Sequence, residues 1–330
     1  MTATSRASRR SRLDDLLEGT VIGSFSSLGY RLRSRTWNDI DTSAIDGKTV
    51  VITGATSGIG RRVASELAFA GARLRFIARN PRKAEDLKHE LLDRNGSADV
   101  EYYLADLSEV ANVRRVAQQI LAAEPAIHLL INNAVVLPAT RMVTPEGLEL
   151  AHATNLVAPF VLTNTLVPRL VESQPARIIN VISGGMYAQG LALDDPNYTE
   201  STYRGSVAYA RAKRALMVLT KIWAEDLSDS GVAVHATHPG WVDTPGVATS
   251  IPTFHRVMGP WLRDTEQGAD TILWLATADR PGASTGKLWH DRAVRSEYRL
   301  GVGVESAADR EKLWALLSST ADSLAPASSR

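Results

Sequence analysis

From Gly47 to Trp289, short β-branched apolar runs alternate with stretches of helical spacing, and this alternation admits few folds. Thr49–Thr53 (TVVIT), Leu74–Ala78, Val100–Leu104, Leu129–Asn133, Arg177–Ser183, Val232–His238 and Gly286–Trp289 predict seven strands. Between them, Ile59–Ala70, Pro81–Asp93, Glu109–Ala123, Glu146–Glu172, Val207–Ser228 and Glu266–Thr277 predict helices, the fourth kinked at Pro159. Parallel strands are joined by crossovers, and helices supply them. Repeated strand–helix units therefore predict an α/β fold, a doubly wound parallel sheet of about seven strands with helices on both faces. The expected boundaries are an N-terminal helical extension over residues 1–46, the α/β domain over 47–300, and a C-terminal helix and tail over 301–330, loose from Ser318.

The first strand runs into Thr53-Gly54-Ala55-Thr56-Ser57-Gly58-Ile59-Gly60, and a helix follows. Glycines let backbone turn sharply and approach a ligand, and a helix N-terminus attracts phosphate, so the loop fits a dinucleotide pyrophosphate in a Rossmann-type sheet. Its G-x-x-x-G-x-G spacing resembles the T-G-x-x-x-G-x-G loop of the short-chain dehydrogenase/reductase family. That resemblance extends from about Asp46 to Trp289 and implies NAD(P) as cofactor and hydride transfer as chemistry. At the end of the second strand, an acidic residue would hold the ribose 2′-OH of NAD. The chain instead has Arg79, suited to the 2′-phosphate of NADP, with Arg61 and Arg82 as candidate helpers. NADP(H) is thus favoured over NAD(H). The resemblance also implies Asp106-Leu107 at the adenine, Asn132-Asn133-Ala134 beside the ribose (with Val135 where the family usually has Gly), Pro239-Gly240 beside the nicotinamide and Thr244 at its carboxamide.

Tyr209-Ala210-Arg211-Ala212-Lys213 places a phenol and an amine four residues apart on one helix face. A phenol ionises near 10, too high for an efficient base at neutral pH, and a nearby cation would lower it. In the family resembled, such a pair is catalytic, the lysine also holding the ribose. The family's substrate-orienting serine matches Ser183 and its relay asparagine matches Asn155. Ser183 lacks the G-x-S-x-G elbow of a serine hydrolase. The tetrad Asn155, Ser183, Tyr209 and Lys213 therefore implies interconversion of a carbonyl and a secondary alcohol. A nucleotide-sensing or scaffold protein on the same fold is the alternative. Sugar-nucleotide epimerases usually have a larger C-terminal lobe than this length allows.

Apolar residues after Ser183 (Met186, Tyr187, Leu191, Leu193, Tyr198, Tyr203) and after Gly240 (Trp241, Val247, Ile251, Phe254, Met258, Trp261, Leu262) suggest a hydrophobic substrate of steroid, retinoid or lipid type. Packing within a lid or a dimer face would use the same residues. Four stretches, Asn180–Tyr187, His238–Val247, Gln267–Ala276 and His290–Arg292, resemble one subgroup of the family that also carries a leading segment of about 45 residues.

In the extension, Met1–Arg12 reads as disordered, and Leu13, Leu16 and Leu17 fit a helix face. That helix packs either on the main domain or a partner, or lies on a membrane with its arginines on anionic lipid. No apolar run reaches bilayer length. A net charge of +1 argues against nucleic acid, and the absence of cysteine or a histidine ligand pattern argues against a metal. The reading is a cytoplasmic protein, peripheral membrane contact and homo-oligomerisation being open to it.

Overall fold

In the computed structural model, which describes residues 12–250, 252–299 and 301–325, the alternation closes into one eight-stranded sheet. The strands are β1 (Thr49–Thr53), β2 (Arg73–Ala78), β3 (Val100–Leu104), β4 (Leu129–Asn132), β5 (Ala176–Val181), β6 (Val232–Thr237), β7 (Lys287–His290) and β8 (Ala293–Arg295). Their order is β3-β2-β1-β4-β5-β6-β7-β8; all neighbours are parallel except β7 and β8. The order reverses between β1 and β4, where an open α/β sheet leaves a crevice at its carboxyl edge. Every residue of β1 is buried, as a central strand covered on both faces requires.

The helices are α1 (Arg12–Glu18), α2 (Val21–Phe25), α3 (Ser27–Ser34), α4 (Gly58–Phe69), α5 (Pro81–Arg94), α6 (Val110–Ala123), α7 (Leu150–His152), α8 (Ala158–Glu172), α9 (Gly205–Asp226), α10 (Pro245–Ser250), α11 (Pro252–Met258), α12 (Thr265–Thr277), α13 (Asp279–Gly282) and α14 (Ala307–Ser323). One face of the sheet packs against α6, α8 and α9 through Val113, Leu166 and Leu216, and α14 adds Leu317 to that layer from outside. The other packs against α4, α5 and α12 through Leu67, Leu87 and Ile272.

The structure adds to the expectation at four places. The sheet gains an eighth strand, because Asp291 and Arg292, at φ 51° and 52°, turn the chain into a two-residue hairpin. The helix expected from Glu146 starts at Leu150; Glu146 instead accepts the amides of Val110 and Ala111 at 2.6 and 3.0 Å, capping α6. The kink is a π turn, Ala153–Val157, just before Pro159, which has no N–H to offer the Asn155 carbonyl. The tail expected from Ser318 is helical to Ser323, and residues 326–330 lie outside the described residues.

The extension packs on this chain's own sheet. Arg33 pairs with Asp291 at 2.7 Å and with Asp14 at 2.7 Å. The disorder expected for Met1–Arg12 falls almost wholly on residues 1–11, outside the described residues. Among described segments, Leu150–Glu172 is long and apolar enough to cross a bilayer, and 78% of its apolar window is buried here as a core helix.

Leu317 is fully buried where α14 meets the α8–α9 layer. Leu317→Ala is expected to cost about 2–4 kcal/mol of stability, read as a lower urea midpoint. An unchanged midpoint would mean that α14 does not contribute to the core.

Candidate active site

The phosphate loop is shaped by what cannot fit. Gly54 and Gly58 have φ of 71° and 53°, conformations that favour glycine. A Cβ on Gly60 would lie 2.2 Å from the Gly54 carbonyl oxygen and 2.3 Å from Asn133 Nδ2. Beneath the loop, Thr53 Oγ1 accepts the amides of Asn133 (3.0 Å) and Ala134 (2.9 Å). Asn133 Nδ2 donates to the carbonyls of Thr53 (3.0 Å) and Gly54 (3.2 Å). These bonds fasten the end of β1 to the end of β4.

Above the loop lies a cleft of about 610 Å³. It brings together Gly54, Thr56, Ser57, Gly58, Ile59, Gly60, Arg79, Asp106, Leu107, Asn133, Ala134, Ser183, Tyr209, Lys213, Pro239, Gly240 and Thr244. Thr53, Asn132 and Asn155 stand behind its wall. Asn132 Nδ2 donates to Thr163 Oγ1 (3.0 Å) and Asn180 Oδ1 (2.8 Å), and Asn180 donates on to Thr220. Its side chain therefore braces β4, β5 and the helices and makes no direct approach to the cleft. Asn155 sits in the π turn, fully buried, exchanging two hydrogen bonds with the backbone of Val136 at 2.8 and 2.9 Å. Val135, in the family's glycine position, turns an exposed side chain to the cleft, so no close backbone contact opposes it.

At the adenosine end, Arg79 is largely exposed, 3.8 Å from the Asp106 carboxylate. Neither expected helper lines the cleft: Arg61 is held by Glu90, and Arg82 also lies off it. Lys83, four residues beyond Arg79 in the first turn of α5, does line it. The signal was a second basic residue close behind Arg79, at the start of the helix that follows.

At the other end, Ser183 follows β5 and its Oγ accepts the Gly185 amide at 3.2 Å. Tyr209 and Lys213 face the cleft from α9. The Lys213 ammonium donates to the Val181 carbonyl at 2.8 Å, and burial lowers it to about 7. The expected depression of the phenol by Lys213 is not what the geometry produces. Burial raises Tyr209 above its ordinary value, and the group opposing that rise is Ser183, hydrogen-bonded to it. Thr154, whose buried hydroxyl has no protein partner among the described residues, also lines the cleft and had no sequence signal.

Most apolar residues expected at the substrate end face elsewhere. Trp241 and Phe254 line the cleft, their rings 5.3 Å apart. Met186 and Leu262 are packed away, and Met258 and Trp261 lie off the cleft. Tyr187 donates to the Ser296 carbonyl at 2.9 Å. Leu191, Leu193 and Tyr198 border a separate small void with His152, and Tyr203 bonds Glu149 at 3.1 Å. The long segment after Ser183 thus folds around the far face of α9. Ile251 and the Val247 side chain lie outside the described residues.

The glycine cradle and the buried lysine suit a dinucleotide. A family model described as short chain dehydrogenase matches residues 48–253. The chain is 35% identical over 297 residues to dehydrogenase/reductase SDR family member 12 of Bos taurus, covering 89% of this chain and 92% of that one. That is the subgroup whose four stretches it resembles. It is 34% identical over 249 residues to retinol dehydrogenase 12 of Mus musculus, covering 75% of this chain and 78% of that protein. A crystal structure of a protein from Mycobacterium paratuberculosis superposes with a TM-score of 0.68 at 26% identity, over 86% of this chain and 98% of that one. Glycine cradle, cleft and sequence relatives agree: the chain belongs to the short-chain dehydrogenase/reductase family and is an NAD(P)-binding oxidoreductase.

Proposed function

We propose that the protein interconverts a carbonyl and a secondary alcohol on a hydrophobic substrate with NADP(H). The observation that carries this reading is that Ser183, Tyr209 and Lys213 open onto the same cleft as the glycine loop. A sensor or scaffold has no need of a phenol, a hydroxyl and a buried amine facing one cavity. Hydrophobic substrates are supported by Trp241 and Phe254 at that end, and by relatives named retinol dehydrogenase.

On this reading the backbone from Thr56 to Gly60 holds the pyrophosphate at the N-terminus of α4. Asp106 and Leu107 meet the adenine, Asn133 and Ala134 flank a ribose, Lys213 holds the nicotinamide ribose, and Pro239, Gly240 and Thr244 border the nicotinamide. Arg79, with Lys83, takes the 2′-phosphate. The bound nicotinamide supplies or accepts the hydride. Ser183 holds the substrate oxygen beside Tyr209. In reduction, the Tyr209 hydroxyl passes its proton to that oxygen as the carbon receives the hydride, yielding the alcohol. A phenol held above its ordinary value stays protonated at neutral pH, the state that reduction requires. Asn155 fixes the π turn beside this group, and Lys213 provides the neighbouring amine through which the phenol recovers its proton. The N-terminal helices leave Leu16, Val21, Ile22 and Leu28 exposed, which supports peripheral contact with a membrane surface.

Turnover of a panel including a long-chain methyl ketone and a retinoid aldehyde tests the activity. Tyr209→Phe is expected to lower kcat by about 10²–10⁴-fold with NADPH affinity retained; equal rates would remove Tyr209 from the chemistry, and a wild type that turns over nothing would favour the sensor. Arg79→Ala is expected to weaken NADPH binding by about 10–100-fold and leave NADH binding near wild type, by fluorescence titration. Tighter wild-type binding of NADH than of NADPH would overturn the NADP assignment. Between about 7 and the ordinary lysine value of 10.5, the unfolded chain carries a proton at Lys213 that the folded chain lacks. Stability therefore rises with pH across that window, by up to about 1.4 kcal/mol per pH unit from this group. Lys213→Met is expected to flatten the rise in melting temperature there; parallel profiles would mean that the buried amine stays charged.

A further inference from the structure

Phe25 closes α2 in the N-terminal extension, outside the stretch matched by the family model. Its ring is buried, with centroids 4.9 Å from His238, 5.7 Å from Trp241 and 6.3 Å from Tyr187. A Cβ on Gly184, the residue after Ser183, would lie 3.1 Å from Phe25 Cζ. The Phe25 carbonyl accepts the Trp241 amide at 2.9 Å, and a Cβ on Gly240 would lie 2.7 Å from that oxygen. One residue thus touches both turns that bound the substrate end, its ring reaching each of them and its carbonyl bonding the second.

The contact is anchored. Arg263 pairs its backbone with Trp241 (2.7 Å) and Asp243 (2.8 Å). Its buried guanidinium donates to the carbonyls of Ser24 (3.0 Å), Phe25 (3.1 Å) and Pro239 (3.2 Å), and to both Asp291 oxygens at 2.6 and 2.9 Å. Arg33 reaches the same Asp291 from α3 at 2.7 Å. The extension and the Pro239–Trp241 turn therefore share one rigid mount.

We propose that Phe25 is a positioning residue of the active site, fixing the Ser183–Gly185 turn against the Pro239–Trp241 turn so that the substrate oxygen is held beside Tyr209. This rests on the oxidoreductase reading above. Phe25 does not itself line the cleft, and the turns it holds border the carbonyl and the nicotinamide alike, so its loss falls on carbonyl binding first and on nucleotide binding less.

The test uses the full-length chain with Phe25→Ala, Phe25→Leu and, as a control on the exposed side of α2, Ile22→Ser. Hydrogen exchange is read by mass spectrometry, NADPH affinity by fluorescence, and KM and kcat with the long-chain methyl ketone. Loss of the aromatic contacts in Phe25→Ala is expected to speed exchange about tenfold in 183–187 and 239–243, with β1, β4 and β5 unchanged. KM for the ketone should rise by about the same factor, with NADPH affinity changing less than that. Phe25→Leu should fall between, and it carries the test alone if the alanine variant does not fold. Ile22→Ser should match wild type. Unchanged exchange in both turns, or exchange raised equally throughout the sheet, would overturn the proposal. Exchange is read on the protein alone, so a chain that turns over no carbonyl still tests Phe25, and the two readings fail separately.

Discussion

The site depends on a lack of space where β1 hands over to α4. Gly60 stands so near the Gly54 carbonyl and the Asn133 amide that no side chain fits there. That proximity lets Asn133 bond two loop carbonyls while Thr53 takes two amides from the end of β4. The sheet's reversal point is thereby locked, and the crevice above it has a fixed floor. Most side chains assigned a chemical role are placed relative to that floor by a strand end or by α9, Asn155 by the π turn and Lys83 by α5.

A second constraint is electrostatic. Asp291 is fully buried, and burial by itself would push its carboxyl up. Arg263 first, then His290 and Arg33, pull it well below the ordinary range, so the charge persists. Such a cluster adds little net stability compared with apolar packing, but losing one partner strands a charge in the interior. Its contribution is register: it fixes where the N-terminal helices, the turn after β6 and the β7–β8 hairpin meet.

Legibility in the sequence followed the range of the interactions. Strands β1 to β7 and most helices were readable because burial on both faces and amphipathic spacing are local patterns. The glycine loop, Tyr209 and Lys213 were singled out by their resemblance to family motifs, and the structure brings them onto one cleft. The hairpin at Asp291-Arg292 was not: two-residue turns usually announce themselves with Asn-Gly, whereas here residues with large side chains hold positive φ, tied down by Arg263 and Asp270. The π turn was half visible, since Pro159 marked a disruption without its form. The apolar residues after Ser183 misled because burial beneath loops and burial around a ligand demand the same composition. Phe25 read only as one apolar residue of the extension, its partners lying far along the chain.

Gly184 does not need a left-handed backbone; its missing side chain is explained by the ring packed over it. In this chain, then, the two positions are sterically tied. A side chain added at 184 would press on the ring, and a smaller residue at 25 would open room for one, so the two positions draw on a single allotment of space.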